Sequence, residues 1–343
     1  MRSLGLDIGG ANTKAILLKD SRVRNHWLKY IPLWKNRDAL SHFLKDLKRL
    51  ASPESVGATM TGELCDVFRT KREGVIEIVE AVCSAFGDDI CHFMSLDGTL
   101  LTRSRSLASP KKLVAANWVA SALVVGRKHL NCLLIDVGST TTDIIPVKEG
   151  KPSTLGRTDF QRLRAGELVY TGVLRTPLPC ICSEVQLGGE KIGVAAENFA
   201  IMADVYRVRG MLEEEDYTCE TSDGRGKDKE SCMRRIARAF CSDLEELGRD
   251  FIVKVAKVFQ HKQVELVARA LRKVISSHKL SRKTDVIMAG IGRGILTERA
   301  ARKAGLKETI DLAAIYGEGA ALMAPAFGAG LLAMEALDGG RGS

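Results

Sequence analysis

Short apolar runs alternate along the chain with segments whose apolar residues recur every three or four positions. Continuous runs predict buried strands, and the longer spacing predicts helices with one buried face. Residues 1 to about 30 predict a β-hairpin followed by a third strand. The next predicted elements are a helix over Asp38–Leu50, a strand over Val56–Met60, a loop over Thr61–Leu64, a helix over Arg72–Phe86, a strand over Ile90–Ser95 and a helix over Pro110–Val125. This alternation predicts an α/β protein with helices on the faces of a sheet.

A second cycle of strands begins at Asn131, and the pattern changes after Arg157. The predicted segments of this half are a stretch with a Gly-Gly pair and a helix over Glu184–Tyr206, an exposed polar loop over Glu213–Glu230, a strongly helical region over Ser231–His278, a strand over Thr284–Gly290, a helix over Leu296–Ala304 and a small-residue-rich helical segment over Ile315–Leu337. We interpret residues from about 158 to 280 as a helical insertion.

The length of 343 residues exceeds one ordinary hydrophobic core and predicts two domains. We expect a first lobe over residues 1–129 together with a C-terminal helix over 318–343. The second lobe is expected over residues 130–317, with a glycine-rich turn within 286–306.

The composition is that of a soluble globular protein, with 45% hydrophobic and 27% charged residues. No apolar stretch approaches the ~20 residues of a membrane span. The chain opens directly in a predicted strand, without a basic-then-apolar leader. We therefore expect a cytoplasmic protein without membrane contact.

The net charge of +9 raises the question of a nucleic-acid partner. Aromatic residues make up only 5% of the chain, and they are not interleaved with basic residues as in stacking platforms. The positive charge is spread over many predicted helices. We expect a small anionic substrate and no nucleic-acid partner. The sequence leaves open whether the protein forms a homo-oligomer.

The most informative motif is a repeat. Leu4-Gly-Leu-Asp-Ile-Gly-Gly-Ala-Asn-Thr-Lys14 and Leu133-Leu-Ile-Asp-Val-Gly-Ser-Thr-Thr-Thr-Asp143 each place an aspartate and a glycine between two strands. A glycine there lets the backbone turn sharply and bring its N–H groups close to an anion. Two such hairpins facing each other would clamp a metal-bound di- or triphosphate. The candidate phosphate-binding residues are Gly9, Gly10, Asn12, Thr13, Lys14, Gly138, Ser139, Thr140, Thr141 and Thr142.

The two strand-end aspartates of this repeat, Asp7 and Asp136, are candidate metal ligands. A hydrated Mg²⁺ is the natural partner of such carboxylates, held directly or through water. The other interpretation is that each aspartate caps its own turn.

A late strand followed by a glycine turn and a helix is a weaker phosphate or nucleoside signal. The turn contains Gly290, Gly292 and Gly294. Its position after two Asp-Gly hairpins makes it a candidate nucleotide-like pocket.

Several charged and polar residues are candidates for the remaining chemistry. Glu63 follows a strand, where catalytic groups of α/β proteins gather, and is our first candidate for a base or a metal ligand. Asp143 could hold a water or act as a base, or cap its strand. Asn117 is a candidate substrate contact, whereas packing is the simpler role for Trp118. Arg103 and Arg105, with Lys111 and Lys112, form either a solvated face or a carboxylate-binding cluster.

The nine cysteines are scattered and do not suggest a disulfide framework. Cys180 and Cys182, with Cys219 and Cys232, invite a zinc interpretation. The one-residue gap suits tetrahedral zinc poorly, and no nearby histidine completes the set.

The order of the three motifs resembles that of the actin-like ATPase and sugar-kinase superfamily, over nearly the whole chain. Asp136-Val-Gly-Ser-Thr-Thr-Thr-Asp143 and Thr59-Met-Thr-Gly-Glu63 resemble its hydantoinase/oxoprolinase branch. The resemblance implies a two-lobed α/β fold of the ribonuclease H-like kind, with a helical insertion and a cleft between the lobes.

A narrower resemblance involves Asp7-Ile-Gly-Gly-Ala-Asn-Thr-Lys14, Thr61-Gly-Glu-Leu64, Ala115-Ala-Asn-Trp118 and Asp136 to Pro146. These segments are similar to an archaeal family of methanofuran-biosynthesis transferases linked to one-carbon metabolism. The resemblance implies coupling of 5-(aminomethyl)-3-furanmethanol diphosphate to the phenol of γ-glutamyltyramine, with loss of diphosphate. Mg²⁺ is then the expected cofactor, and ATP is not required. The alternatives are an ATP-dependent kinase, an oxoprolinase-type amidohydrolase, or a nucleotide-binding regulatory ATPase.

Overall fold

The computed structural model describes residues 1–36 and 38–341. Its strands are β1 Arg2–Ile8, β2 Asn12–Lys19, β3 Arg22–Tyr30, β4 Ser55–Met60, β5 Cys91–Met94, β6 Leu100–Leu101, β7 Cys132–Val137, β8 Thr142–Lys148, β9 Lys151–Pro152, β10 Leu168–Val169, β11 Glu184–Leu187, β12 Glu190–Gly193, β13 Val286–Ala289 and β14 Thr309–Asp311.

Helices occupy much of the remaining chain. They are α1 Asp38–Ala51, α2 Lys71–Phe86, α3 Arg103–Ala108, α4 Asn117–Gly126, α5 Asp159–Ala165, α6 Met202–Val208, α7 Lys229–Arg238, α8 Leu244–Ser277, α9 Glu298–Ala304, α10 Leu312–Tyr316, α11 Glu318–Leu322 and α12 Ala324–Arg341. Short 3₁₀ turns occupy Gly62–Leu64, Asp88–Ile90, Pro110–Lys112 and Leu178–Cys180, and a π-helix occupies Arg293–Thr297.

Two larger sheets account for most of the strands. The first has the order β3-β2-β1-β4-β5-β6, in which β1, β4 and β5 run parallel and the outer pairs are antiparallel. The second has the order β10-β8-β7-β13-β14, with β9 paired to β8. The sheets and their helices confirm the predicted α/β class.

The chain divides into two compact units. Unit 1 contains residues 1–134, 145–162 and 310–343, and unit 2 contains residues 135–144 and 163–309. Residues 145–162 therefore cluster with unit 1, whereas the sequence pattern assigned them to the second lobe. The physical reason is a close approach inside unit 1: a Cβ on Gly126 of α4 would lie 2.1 Å from the Gly150 carbonyl oxygen.

Helix α12 packs directly onto the centre of the first sheet. A Cβ on Gly5 would lie 1.9 Å from the Ala326 carbonyl oxygen, and one on Gly57 would lie 2.0 Å from that of Ala329. Only glycine permits backbones to approach so closely. The Ser3 hydroxyl donates to the Gly330 carbonyl oxygen at 2.7 Å and fixes the register of helix and sheet.

The helix predicted over Pro110–Val125 is wrong in its first half. A 3₁₀ turn over Pro110–Lys112 is followed by an irregular stretch, and α4 begins only at Asn117. Ala115 has a φ of 48°, which is strained for a residue with a Cβ and interrupts the helix.

Other segments differ from their predictions in detail. The Gly-Gly pair of Glu184–Tyr206 turns a β-hairpin, β11–β12, that the sequence pattern did not predict. The stretch over Glu213–Glu230 is not wholly exposed, because Tyr217 and Cys219 are buried in it. The predicted C-terminal segment Ile315–Leu337 forms parts of three helices rather than one, and Gly317 separates the first two with a φ of 87°.

No helix of residues 1–36 and 38–341 combines the length and the apolar character that a bilayer crossing requires.

Candidate functional site

The first Asp-Gly hairpin lies at the carboxyl end of β1. The Gly9 N–H donates to the Asn12 carbonyl oxygen at 2.9 Å and closes the turn. A Cβ on Gly9 would lie 2.8 Å from that oxygen, so the turn requires glycine. Asp7 pairs in register with Lys14 across the hairpin and with Thr59 on β4, which places these three residues together.

Lys14 forms an ion pair with Asp7. Its Nζ lies 3.3 Å from Asp7 Oδ2, and the Lys14 side chain keeps 29% of its surface exposed. Thr13 pairs with Ile8 and is fully buried, so its side chain lies on the opposite face of the sheet from Asp7 and Lys14. The phosphate roles predicted for Lys14 and Thr13 stay predictions.

At one edge of the first sheet, β1 and β4 end and β2 begins, and several buried side-chain oxygen atoms lie there. Within the described residues, the following side-chain oxygens on the Asp7 face or in the turn after β4 have no hydrogen bond of ordinary geometry: Asp7 Oδ1, Asn12 Oδ1, Thr59 Oγ1, Glu63 Oε1 and Glu63 Oε2. A buried polar group without a partner costs about 1–3 kcal/mol. Such a concentration at one sheet edge indicates a place for a ligand that brings donors or positive charge.

These oxygens fit a hydrated magnesium ion better than a directly ligated one. Mg²⁺ prefers oxygen ligands and keeps several waters when protein carboxylates are few. Over residues 1–36 and 38–341 no three His, Cys, Asp or Glu side chains converge as a metal cage. Asp7 Oδ1 would then contact the ion or its water shell, and this assignment stays a prediction, as does that of Asp136.

Glu63 is the most perturbed carboxylate near this edge. It lies in the 3₁₀ turn after β4 and is 1% exposed, and neither of its oxygens has a hydrogen bond of ordinary geometry, although the Glu63 and Ala115 backbone amides lie close enough to favour the charged form. Burial raises the pKa of Glu63 from 4.5 to about 7, and the charge of Asp159 adds to the rise. The backbone amides of Glu63 and Ala115 and the Lys71 ammonium oppose it. A carboxyl group tuned in this way can accept a proton near neutral pH.

The backbone amide of Ala115, in the same unit, lies near the Glu63 carboxyl group and lowers its pKa. Asn117 begins α4 and is half-buried, and its predicted substrate role stays a prediction. The Trp118 ring is buried and carries the Arg162 guanidinium 4.5 Å from its centroid, which agrees with packing as its main role.

Sequence reasoning missed Arg162. On α5 this arginine is 1% exposed, while Phe160, two positions earlier, is 69% exposed. Such an inversion cannot be read from the apolar periodicity, which places phenylalanine inside and arginine outside. Asp159, at the start of the same helix, was also missed, because its effect on Glu63 depends on a contact between residues distant in sequence.

Two basic residues of the cluster around Pro110 form ion pairs with acidic side chains. Arg103 Nη2 lies 2.8 Å from Glu80 Oε1, and Arg103 Nη1 lies 3.2 Å from Asp88 Oδ2. Lys112 Nζ lies 3.0 Å from Asp97 Oδ2. Arg105 and Lys111 are exposed. A substrate carboxylate at Arg103 would have to compete with two protein carboxylates, so this predicted role gains no support from the geometry.

The second Asp-Gly hairpin repeats the first in detail. The Gly138 N–H donates to the Thr141 carbonyl oxygen at 2.9 Å, as Gly9 does to Asn12. Thr142 is fully buried and donates through its hydroxyl to the Thr171 carbonyl oxygen at 2.8 Å. Asp143 pairs in register with Leu168 on β10 and is 8% exposed, and its predicted role as base or water ligand stays open.

The late glycine turn meets this second hairpin. Gly290 has a φ of 83°, and a Cβ there would lie 2.4 Å from Asp136 Oδ1 and 2.2 Å from the Val137 carbonyl oxygen. The Gly292 N–H donates to the same Val137 oxygen at 2.9 Å. The structure therefore brings Asp136, Gly290 and Gly292 together, whereas a Cβ on Gly294 would meet nothing within 4 Å. The turn continues into a π-helix, a rare form enriched at functional sites.

The cysteines considered for zinc lie in different surroundings. Cys180 is exposed and Cys182 is half-buried, while Cys219 and Cys232 are buried, and burial raises the pKa of the Cys219 thiol to about 11. A buried thiol of this kind stays protonated and is a poor metal ligand.

Residues 54–331 match the hydantoinase/oxoprolinase family. The chain is 36% identical to the (4-{4-[2-(gamma-L-glutamylamino)ethyl]phenoxymethyl}furan-2-yl)methanamine synthase of Methanocaldococcus jannaschii, over 98% of both chains. It is 33% identical to a synthase of the same name from Methanococcus vannielii, over 61% of this chain and 93% of that one.

Two solved structures share the fold. They are a nucleotide-free acetone carboxylase (TM-score 0.55, 12% identity, 96% of this chain and 70% of that one) and a ROK family glucokinase from Streptomyces griseus in complex with glucose and AMPPNP (TM-score 0.51, 14% identity, 98% and 100%). At these identities the likeness concerns the fold alone, which is that of actin-like ATPases and sugar kinases, as predicted. The nearly end-to-end match to the M. jannaschii synthase shows that the chain belongs to the family of that synthase, within the hydantoinase/oxoprolinase family.

Proposed function

We propose that this chain is a Mg²⁺-dependent transferase that couples 5-(aminomethyl)-3-furanmethanol diphosphate to γ-glutamyltyramine. The names of the two relatives describe the product, a phenoxymethyl furan that carries an aminomethyl group and a γ-glutamyl amide. The observation that carries the proposal is Glu63, a buried carboxyl group whose pKa is raised to about 7 and whose 3₁₀ turn packs on the Asp7 hairpin, since a Cβ on Gly62 would lie 3.1 Å from the Gly9 carbonyl carbon. This arrangement suits the capture of a proton in a water-poor site.

The reaction exchanges one carbon–oxygen bond for another. The phenol oxygen bonds to the furan methylene carbon, and the bond from that carbon to the diphosphate oxygen breaks with both electrons. The furan ring can delocalise positive charge on the methylene carbon, so bond breaking can run ahead of bond making. Diphosphate leaves, and the phenol proton passes to Glu63.

Glu63 is matched to this proton transfer. The phenol has a pKa near 10, and a base with an ordinary glutamate pKa would be about 5.5 pKa units weaker than phenolate. With a pKa of about 7, Glu63 reduces that gap to about 3 pKa units and is still largely ionised at pH 8. The raised pKa therefore makes Glu63 a better base without removing its charge at slightly alkaline pH.

Each hairpin carries groups that suit the leaving group. In unit 1, Lys14 would contact diphosphate oxygens and Asp7 the ion or its water shell. In unit 2, the backbone amides of Ser139 and Thr140 would contact diphosphate oxygens, and Asp136 is the candidate ligand of the ion. When bound, Mg²⁺ neutralises the charge that develops on the departing diphosphate. ATP has no role in this scheme, although the fold is shared with enzymes that bind its analogue.

The test is diphosphate release in the presence of Mg²⁺ and both substrates, with ATP left out. We expect one diphosphate for each ether formed. Asp136→Asn should lower the rate at least a hundredfold, while Asp250→Asn, which changes an exposed carboxylate on α8, should leave the rate unchanged. Product formation that required stoichiometric ATP would refute the proposal and favour a kinase or an amidohydrolase. ATP-dependent binding of a protein partner, without any small-molecule product, would favour a regulatory ATPase.

A further inference from the structure

A short loop, residues 171–175, lies against the second hairpin inside unit 2. A Cβ on Gly172 would lie 2.5 Å from both the Ser139 carbonyl carbon and the Thr140 nitrogen, so the two backbones touch. The Val173 N–H donates to the Gly138 carbonyl oxygen at 3.1 Å. The N–H groups of Leu174 and Arg175 donate to the Ser139 carbonyl oxygen at 3.1 and 2.9 Å.

These hydrogen bonds fix the direction of the amides in the turn. The C=O and N–H of a trans peptide point in opposite directions. Because the Gly138 and Ser139 carbonyls face the loop, the N–H groups of Ser139 and Thr140 face away from it. The loop therefore aims two adjacent backbone donors toward the side on which an anion would bind.

The loop is in turn held by Gln263 on α8. Gln263 Nε2 donates to Thr171 Oγ1 and to the Gly172 carbonyl oxygen, both at 2.8 Å. Its Oε1 accepts from the Tyr206 hydroxyl at 2.5 Å. Gln263 and Tyr206 are both fully buried. Thr176 Oγ1, which accepts from the Gly172 N–H at 2.9 Å, completes the set.

Gln263 occupies a position that packing alone would give to an apolar residue. It is 0% exposed and lies beside Val264 and Val267 on the buried face of α8. A buried amide is tolerated only when its donors and acceptor are satisfied, and here all three hydrogen bonds are made.

We infer that Gln263 is a positioning residue that holds the loop 171–175, and through it the Ser139 and Thr140 amides, in the orientation that binds diphosphate. Tyr206 orients the Gln263 amide so that its nitrogen faces the loop. The inference rests on the proposed function, since it takes diphosphate as the anion at this hairpin.

The test measures binding of inorganic diphosphate with Mg²⁺ by calorimetry, together with hydrogen–deuterium exchange of the segments 138–142 and 171–176. Gln263→Met keeps the volume and removes the hydrogen bonds, and Tyr206→Phe removes only the hydroxyl. Tyr217→Phe is the matched control, because it removes a buried hydroxyl that donates to Asp204 of α6 at 3.0 Å and makes no hydrogen bond to Gln263 or to the loop 171–175.

We expect Gln263→Met to exchange faster in both segments and to weaken diphosphate binding about tenfold, with a smaller effect in Tyr206→Phe. Tyr217→Phe should match wild type in both measurements. If Gln263→Met does not fold, Tyr206→Phe decides the outcome alone.

Three outcomes would overturn the inference, and they are distinguishable. Wild type that binds diphosphate while Gln263→Met and Tyr206→Phe bind it equally well would refute the positioning role and leave the proposed function standing. Wild type that binds no diphosphate would refute the proposed function and the inference with it. An equal loss of affinity in Tyr217→Phe would show that Gln263 acts only through the general stability of unit 2.

Discussion

Replacing Glu63 by glutamine should lower activity and raise stability at the same time. Glutamine has almost the same shape but cannot accept the phenol proton. Loss of a general base costs about 10²–10⁴ in rate, so we expect the turnover number of Glu63→Gln to fall by that factor. The KM for the diphosphate substrate should change little, because the hairpins are intact.

The gain in stability follows from the pKa. The folded-state pKa of Glu63 is about 7 against 4.5 for an ordinary glutamate, a rise of about 2.5 pKa units. Each unit corresponds to about 1.36 kcal/mol, so the ionised carboxylate destabilises the fold by about 3 kcal/mol above pH 7. Below pH 4.5 the group is protonated in both the folded and the unfolded state, and this cost vanishes. Stability in wild type is therefore lost as the pH rises from about 4.5 to 7.

The assay compares wild type and Glu63→Gln in urea unfolding at pH 5.5 and pH 8, beside diphosphate release at pH 8. We expect the glutamine variant to be more stable by up to about 3 kcal/mol at pH 8 and by about 1.4 kcal/mol at pH 5.5. Asp250→Asn is the control, since an exposed carboxylate should show neither effect. A variant that is less stable at both pH values, or that keeps wild-type turnover, would refute the assignment of Glu63 as a buried base.

Three further predictions concern the hairpins and the insertion. Lys14→Met should weaken inorganic diphosphate binding about tenfold at low salt, and calorimetry at 0.05 and 0.5 M salt should show the difference shrinking. Gly290→Ala should destroy activity or folding, because its Cβ would lie 2.2 Å from a carbonyl oxygen, while Gly294→Ala should be harmless in the same activity assay and thermal melt. Arg235 Nη2 lies 2.7 Å from Asp204 Oδ1, so Arg235→Met leaves a buried carboxylate without its ionic partner. We expect the free energy of unfolding, measured in urea, to fall by about 3–5 kcal/mol, and adding Asp204→Asn should recover part of that loss.

The sequence predicted the elements that depend on local pattern. The two hairpins could be found because an aspartate and a glycine at a strand end leave few other conformations. The amphipathic helices α1 and α2 followed from their apolar spacing, and the structure confirms them with small differences at the ends. The helical region predicted over Ser231–His278 is divided into α7 and α8, with a break at residues 239–243 and a φ of 75° at Gly248. Glu63 was a candidate because it follows a strand, but its burial depends on residues distant in sequence.

What the sequence did not predict depends on tertiary contacts. Nothing about an alanine signals the φ of 48° at Ala115, because that strain is imposed by the packing around it. Arg162 is buried against Trp118, although the apolar spacing of α5 predicts that arginine is exposed. For Gln263 a signal did exist, since a polar residue next to an apolar stripe marks either an exposed position or a buried hydrogen-bonded one. The stripe alone cannot distinguish the two.

The packing of α12 on β1 and β4 sets the order in which the chain can fold during synthesis. The hydrogen bond from Ser3 to Gly330 joins residues 327 positions apart, and the close backbone contacts of Gly5 and Gly57 are made with the same helix. At about 5–20 residues per second, the ribosome separates the making of β1 from that of α12 by tens of seconds. All of unit 2, residues 135–144 and 163–309, emerges within that interval. Any part of the first sheet that forms before α12 is made has its glycine face uncovered, and we expect chaperones that bind nascent chains to protect that face until α12 arrives.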